Sequence, residues 1–168
     1  MISCDRIINE IKRLSQEISA DYREQTPLIL VVLNGAFMFA ADLAKELELE
    51  ARISFIKVSS YEAMRSTGEV KELIGLNEHI AGEDIILIED IVDSGKTVRK
   101  IIADLDNLGA ASVSIATLLR KDSRAHEDLP VKYVGFDIED RFVVGYGLDF
   151  DGIGRNLKHI YVLDTVHD

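Results

Sequence analysis

Basic residues are scarce relative to acidic ones in this sequence. Its 19 Lys and Arg residues are outnumbered by 30 Asp and Glu residues, which gives a formal net charge of -11 at pH 7. This balance opposes contact with nucleic acid backbones and anionic lipid, unless basic residues cluster locally, and the sequence contains no such cluster. Nucleic acid and membrane surfaces are therefore not expected partners.

Other absences narrow the class of protein further. The only cysteine, Cys4, cannot form an intramolecular disulfide, and the four histidines are too scattered for a zinc site. No apolar run approaches the ~18 residues of a membrane-spanning helix. The opening "MISCDRIINE" carries charge where a signal peptide needs an apolar stretch. These features predict a cytoplasmic protein.

The length and the hydrophobic pattern predict one α/β domain over residues 1–168. Apolar residues recur at helical spacing over residues 4–23 and 98–108, and Gly109 is expected just past the second helix. A further helix is predicted directly after Asn34-Gly35. Short apolar runs bounded by turn residues predict strands over 28–33, 51–60, 84–89, 112–119, 131–138, 141–147 and 159–164.

The alternation of strands and helices predicts a central, mostly parallel, twisted sheet flanked by helices on both faces. Ligands of such sheets bind beyond the carboxyl ends of the strands, where both "LNGAF" and "EDIVDSGKT" fall. The polar segment 61–73 is long for a connection, and long loops of this kind often act as lids.

The segment "EDIVDSGKT", residues 89–97, combines three carboxylates with a glycine turn that ends in Lys-Thr. A triphosphate-binding P-loop requires glycine five residues before the second glycine, and Asp90 occupies that position. A carboxylate there would repel a triphosphate. The P-loop interpretation is therefore rejected.

A single phosphate fits the same segment better. "DSGKT" precedes a predicted helix, whose free N–H groups and positive dipole end favour an anion. Glu89 and Asp90 can accept hydrogen bonds from a vicinal diol or bind Mg²⁺. A ribose with a 5-phosphate offers both features. In the alternative interpretation, Asp93 and Ser94 only cap the helix and the acids are solvated.

The segment "ILIEDIVDSGKT" resembles the phosphoribosyl-pyrophosphate motif of the type I phosphoribosyltransferases. Further segments resemble the hypoxanthine-guanine members of that family, in the same order, from about residue 28 to 164: "VVLNGAFMFAADL", "VSSYEAMRSTGEVK", "TLLRKDSR" and "VGFDIEDRFVVGYGLDFDGIGRNL". The resemblance implies the type I fold, with a small hood formed by the termini. It also implies transfer of the phosphoribosyl group to a purine nitrogen with release of pyrophosphate.

By resemblance, Glu89 and Asp90 bind the ribose hydroxyls and help to locate Mg²⁺. The 5-phosphate is expected on Asp93, Ser94, Gly95, Lys96 and Thr97. Asp93 is the implied catalytic residue, which accepts a proton from N7 of the purine as the bond at N9 forms.

The resemblance also assigns the base site. Lys121 is expected to donate to the exocyclic O6 of a 6-oxopurine, a contact that the amino group of adenine would refuse. Phe142 is expected to stack on the purine, and the Val143 backbone to contact its edge. Asp149 is expected near the base and a second Mg²⁺, and Arg155 near pyrophosphate.

Two loops complete the implied site. Leu33, Asn34 and Gly35 match the pyrophosphate loop of the family, and a non-proline cis peptide bond is expected at Leu33-Asn34. Many relatives have a lysine where this chain has Asn34, so its pyrophosphate contacts are expected from backbone amides and Mg²⁺. Ser60 and Tyr61 begin the predicted lid.

Two alternatives stay open at this stage. One is transfer to another base, of which xanthine is the least excluded, and the other is a non-catalytic RNA-binding regulator on the same fold. The acidic balance and the residues Lys121, Phe142 and Asp149 favour the enzyme. Relatives form dimers or tetramers, so a homodimer or a homotetramer is expected.

Overall fold

The protein folds around one parallel sheet with helices on both faces. The computed structural model describes residues 1–57, 79–121 and 128–163. Within these residues the sheet has five strands in the order β2-β1-β3-β4-β5, and all neighbours are parallel. The strands are β1 Leu28–Leu33, β2 Arg52–Lys57, β3 Asp84–Val92, β4 Ser112–Lys121 and β5 Val131–Ile138. This arrangement confirms the predicted fold class.

The sheet separates two hydrophobic clusters. Helices α1, Cys4–Asp21, and α2, Phe37–Glu46, cover one face, where Ile11 and Phe39 pack with Val31 and Ile88. Helix α3, Lys96–Asn107, covers the other face through Val98, Ile101 and Leu105. Successive residues of a strand point to opposite faces, so a strand buried on both faces must be apolar throughout. This is why β1 and residues 85–88 of β3 are continuous apolar runs.

Helix bounds agree closely with the sequence prediction, whereas β3 is longer than predicted. Helix α1 ends at Asp21, and Gly109 follows the end of α3 with a φ of 84°. Strand β3 runs to Val92 because its pairing with β4 extends to Val92 and Arg120. Asp90 therefore lies within strand β3, as Glu89 does, whereas the prediction ended the strand at Glu89.

A second, small sheet lies near the two ends of the chain. Strands β6, Val143–Val144, and β7, Tyr161–Val162, pair antiparallel, and Ile2 forms a bridge with Ile160. The predicted strand over 141–147 is wrong in extent. Gly145, Tyr146 and Gly147 have φ angles of 106°, 51° and 99°, which an extended strand does not allow.

Other predictions fall partly outside the described residues. Strand β2 ends at Lys57, so the predicted strand over 51–60 is seen only in part. The predicted lid over 61–73, with Ser60 and Tyr61 at its start, lies outside the described residues. Within the described ranges, no helix is long and apolar enough to cross a membrane.

Candidate active site

A cleft of about 390 Å³ opens where the carboxyl ends of β1 and β3 meet the start of α3. Its lining consists of Val32, Leu33 and the continuous segment 89–98. The acidic segment singled out in the sequence thus lines one cleft along its whole length. Parallel strands bring their carboxyl ends to one edge of the sheet, which places residues from both strands together.

Two adjacent carboxylates line the cleft from β3. Glu89 is only 6% exposed, and burial, followed by repulsion from Asp90, raises its pKa well above the usual range. Burial also raises the pKa of Asp90, although the Ile91 N–H and the Arg155 guanidinium act in the opposite direction. A buried acid with a raised pKa is one whose negative charge is poorly compensated. The pair is therefore suited to hydroxyl groups or a cation, both of which stabilise a carboxylate.

The turn between β3 and α3 presents free backbone N–H groups to the cleft. Gly95 is the N-cap residue of α3 with a φ of 71°, a conformation that glycine adopts at little cost. Because Gly95 has no side chain, it cannot cap the first N–H groups of the helix. Asp93, Ser94, Lys96 and Thr97 are exposed around this turn. The arrangement matches an anion site at a helix N-terminus.

The loop after β1 passes directly against the Asp90 side chain. The Leu33-Asn34 peptide bond is cis, as predicted. At the next residue, Gly35, a Cβ atom would lie 1.6 Å from Asp90 Oδ2, so only glycine fits. A Cβ on Gly147 would in turn lie 2.1 Å from the Gly35 carbonyl oxygen. The β1 loop is thus held between Asp90 and the 145–147 turn.

Asp149 and Arg155 form an ion pair beside that turn. Arg155 Nη2 lies 2.6 Å from Asp149 Oδ1, and Arg155 Nη1 donates to the Gly147 carbonyl at 2.7 Å. Both charges are close enough to act on the pKa of Asp90, in opposite directions. Asp149 and Arg155, which belong to a sequence segment far from residues 89–97, therefore approach Asp90 in the fold.

Lys121, at the end of β4, contacts Asp93 of the cleft lining. Its Nζ lies 3.0 Å from Asp93 Oδ2 and 2.8 Å from Asp140 Oδ1, and its side chain is only 13% exposed. Burial acts to lower the pKa of Lys121, but its hydrogen bonds to Asp140 and Asp93 outweigh burial and raise that pKa. The side chain is a largely enclosed ammonium group that points at the Asp93 carboxylate, rather than a solvated surface lysine.

Phe142 directly precedes strand β6 of the small sheet, and Val143 is the first residue of that strand. Phe142 is 48% exposed, and its ring meets Phe150 edge-on with centroids 5.6 Å apart. Val143 pairs with Val162 in β6. A half-exposed aromatic ring two residues after Asp140, the partner of Lys121, can stack on a planar ligand.

The carboxylates of the cleft fit a hard cation only if a bound ligand supplies further oxygen atoms. In the part of the chain that the structure describes, no group of three or more His, Cys, Asp or Glu side chains could hold a metal ion. Glu89, Asp90 and Asp149 therefore do not form a complete protein cage. Mg²⁺ commonly binds through one or two carboxylates plus waters and substrate phosphates, and the Glu89-Asp90 pair fits that pattern.

Comparison with known families decides what kind of domain carries this cleft. A family model described as "Phosphoribosyl transferase domain" matches residues 3–151. The chain belongs to this family. A hypoxanthine-guanine phosphoribosyltransferase of Bacillus subtilis is 41% identical to this phosphoribosyl transferase over 164 residues, covering 97% of the chain and 91% of the relative. The corresponding Mycobacterium tuberculosis enzyme is 39% identical over 171 residues, covering 98% and 85%.

Solved structures agree with the sequence relatives. A hypoxanthine-guanine phosphoribosyltransferase from Bacillus anthracis superposes with a TM-score of 0.88 at 36% identity, covering 98% of this chain and 97% of that one. A hypoxanthine-guanine-xanthine phosphoribosyltransferase gives a TM-score of 0.85 at 32% identity, covering 97% and 94%. The phosphoribosyl transferase fold is thus shared over nearly the whole chain.

Within this phosphoribosyl transferase, most predicted site residues that are described converge on the same edge of the sheet. Two further contacts near the site had not been predicted from the sequence. Asp140 looks like one of several surface acids in "FDIEDR", yet it contacts Lys121. Asp42 of α2 accepts a hydrogen bond from the buried Tyr146 hydroxyl, over a separation of 104 residues that leaves no local signal.

Proposed function

We propose that this protein is a purine salvage enzyme that transfers the 5-phosphoribosyl group of phosphoribosyl pyrophosphate to a 6-oxopurine base, hypoxanthine or guanine. The products are the nucleoside monophosphate and pyrophosphate. The observation that carries the proposal is the contact of Lys121 with Asp93 at 3.0 Å, beside the phosphate turn and the acidic pair. One cleft then offers groups for a phosphate, a diol and a base edge.

The sugar phosphate would lie across the start of α3. Its 5-phosphate would accept hydrogen bonds from the free N–H groups of the 93–97 turn, and its ribose hydroxyls would donate to Glu89 and Asp90. As the bond from C1 to pyrophosphate breaks, positive charge builds on the ribose. Buried carboxylates near that charge stabilise the transition state more than the ground state.

Mg²⁺ would bind at Glu89 and Asp90, together with oxygens of the substrate, and Asp149 is a further candidate. When bound, Mg²⁺ would neutralise part of the negative charge of the departing pyrophosphate. Leu33, Asn34 and Gly35 would offer backbone groups to the same pyrophosphate, and Arg155 a positive charge. Asn34 contributes no charge, so Arg155 and the cation carry more of this task.

The base would bind with its six-membered ring near Lys121. O6 and N7 are neighbours on one edge of a 6-oxopurine, so a donor and an acceptor 3.0 Å apart are matched to that edge. Lys121 Nζ would donate to O6, and Asp93 would accept the N7 proton while N9 bonds to C1 of the ribose. Phe142 would stack on the ring, and the Val143 backbone would contact its 2-position side.

Several further assignments stay predictions of this proposal. Residues 1–168 would act as one domain, in the cytoplasm, as a homodimer or homotetramer. Ser60 and Tyr61 would cover the site. Xanthine is the second candidate base, because one structural relative carries xanthine in its name. The net charge of -11 argues against an RNA-binding regulator.

The test is a direct assay of base use. The protein is mixed with Mg²⁺, phosphoribosyl pyrophosphate and one base at a time, and the nucleotide formed is identified by chromatography. We expect nucleotide from hypoxanthine or guanine. Turnover with adenine should be at least about 100-fold slower, because the Lys121 ammonium and the 6-amino group of adenine are both hydrogen-bond donors. Turnover with none of the purines would overturn the proposal, and equal turnover with adenine would remove Lys121 from base selection.

A further inference from the structure

Asp140 takes no part in the proposed reaction, although it contacts Lys121, a central residue of the site. It lies between β5 and Phe142, in a tight turn in which the Arg141 N–H donates to the Glu139 carbonyl. Its carboxylate is 81% exposed and accepts a hydrogen bond from Lys121 Nζ at 2.8 Å. The turn thus holds an acidic side chain against an ammonium group that is itself almost enclosed.

Among the described residues, two of the three N–H donors of Lys121 have a carboxylate partner. An ammonium group has three N–H donors, and Asp93 and Asp140 each accept one. The third can point at a ligand in the cleft. Two carboxylates on one ammonium also fix its direction, because a long lysine side chain with a single partner keeps considerable rotamer freedom.

The two carboxylates are not equivalent during the reaction that we propose. Asp93 has to turn to the purine N7–H and accept its proton, after which it is a neutral acid and a weaker partner for Lys121. Asp140 is not used by any step of that reaction. It is then the remaining carboxylate contact that the described structure gives Lys121.

We propose that Asp140 is a positioning residue, which holds the Lys121 ammonium at the 6-position of the base while Asp93 is engaged with N7. This inference rests on the proposed function. It also assigns Asp140 a part in specificity, since it keeps a donor aimed at the place where 6-oxopurines carry an acceptor and adenine carries a donor. Without Asp140, Lys121 would compete with the base for Asp93.

The test compares Asp140→Asn with the matched control Asp137→Asn. Asp137 is also an exposed acid near the end of β5, where it pairs with Arg120 at 2.7 Å. For Asp140→Asn we expect the KM for hypoxanthine or guanine to rise about three- to tenfold, the scale of an exposed charged hydrogen bond. The KM for phosphoribosyl pyrophosphate should stay within about twofold. Asp137→Asn should behave as wild type in both.

A double-mutant cycle distinguishes positioning from a general structural effect. In the Lys121→Gln background, Asp140→Asn should cost little further activity, because the group that Asp140 positions is already gone. The ratio of 6-oxopurine to adenine turnover should fall about three- to tenfold in Asp140→Asn. Thermal unfolding should be unchanged, as expected for a side chain that is 81% exposed.

The outcomes separate the inference from the function that it rests on. Wild-type turnover of 6-oxopurines, with an Asp140→Asn variant whose base KM and base selectivity equal those of wild type, would overturn the positioning role alone. An equal effect of Asp137→Asn, or an undiminished effect in the Lys121→Gln background, would do the same. Absence of wild-type turnover with every purine would overturn the proposed function and this inference with it.

Discussion

At the scale of single residues, Asp93 combines a partner in the resting protein with access to a ligand. Its side chain is 58% exposed and lies 3.0 Å from Lys121 Nζ. A base of this kind has to be free to leave its partner as the purine N7 proton becomes acidic. The contacts of the Asp93 carboxylate therefore matter as much as its chemical type. Substitution by asparagine removes the negative charge of Asp93 and keeps the size and shape of its side chain.

We predict that Asp93→Asn lowers kcat for nucleotide formation by about 100-fold or more, the usual contribution of a general base. The KM for phosphoribosyl pyrophosphate should change by less than about threefold, because the backbone N–H groups of the turn remain. Asp104→Asn is the control, since Asp104 lies on α3 and pairs with Lys100 at 2.9 Å. Steady-state kinetics in the forward direction measure both values. Unchanged turnover at saturating substrates would remove Asp93 from the chemistry.

Residues of the site differ in how far the sequence could identify them. The segment 89–97 is local, so its spacing alone predicts a phosphate turn beside two acids. Lys121 has no such spacing, and its 13% exposure arises only once β3, β4 and the 139–141 turn are assembled. Only the family resemblance indicated Lys121, and nothing indicated Asp140. A contact between the end of a strand and a turn that are distant in sequence leaves no pattern in either segment.

At the scale of elements, the turn at 145–147 is tied to α2. Its three residues have positive φ, and Tyr146, which is 2% exposed, donates a hydrogen bond to Asp42. Burial acts to raise the pKa of Asp42, but hydrogen bonds from Lys45 and Tyr146 prevail and lower it. Burial and the same bond raise the pKa of Tyr146. The bond thus anchors the segment that carries Asp149 and Arg155.

We predict that Tyr146→Phe lowers the free energy of unfolding by about 1.5 to 3 kcal/mol at pH 7, the range for a hydrogen bond to a charged group. The folded-state pKa of Asp42 lies below its unfolded value, so this stability is fully present above the ordinary value of 3.8. It should be lost as the pH falls through the lower folded pKa. The difference between wild type and variant should therefore shrink in acid.

Urea unfolding at pH 7 and at about pH 3 measures the effect. Tyr22→Phe is the control, because the Tyr22 hydroxyl contacts the neutral Ser114 hydroxyl at 3.3 Å. That variant should lose less stability and show no acid dependence. A loss for Tyr146→Phe that is the same at both pH values would contradict the charged nature of the Asp42 contact.

Helices and strands were predicted correctly where the hydrophobic period extends over many residues. The prediction failed where the backbone conformation is incompatible with the element that the composition favours. Helix α1 presents Ile7, Ile11, Leu14 and Ile18 on one face, and its predicted bounds are nearly correct. "RFVVGYG" is rich in strand-forming residues, but the positive φ values at 145–147 end the strand after two residues. Two glycines around a tyrosine were the available signal for a turn.

At the scale of the whole molecule, the cleft depends on contacts between distant parts of the chain. The continuous apolar runs predict parallel strands. Because β1, β3 and β4 are parallel neighbours, their carboxyl ends lie at the same edge of the sheet. The seating of the β1 loop against Asp90 and Gly147 was not predictable, because nothing local to Gly35 specifies a neighbour 112 residues away. Such a site is completed by the fold, and a ligand that bridges its parts should stabilise the fold in return.

We therefore predict that Mg²⁺ with phosphoribosyl pyrophosphate stabilises the whole protein. At about 100 times the dissociation constant, the free energy of unfolding should rise by about 2.7 kcal/mol. With a chelator instead of Mg²⁺, the increase should largely disappear, because the Glu89 and Asp90 carboxylates then repel the anion. Thermal unfolding without any base measures this independently of turnover.

Substitutions at the two ends of β3 test whether the Mg²⁺ dependence of this stabilisation arises from Glu89 and Asp90. Glu89→Gln with Asp90→Asn should reduce the difference between Mg²⁺ and chelator, because the two charges that repel the anion are gone. Asp84→Asn is the control, since Asp84 lies at the amino end of the same strand and bonds to Ser112 at 2.5 Å. It should leave that difference unchanged. An equal stabilisation with and without Mg²⁺ in the wild type would mean that the acidic pair does not face the ligand, because uncompensated carboxylates at that position would weaken anion binding.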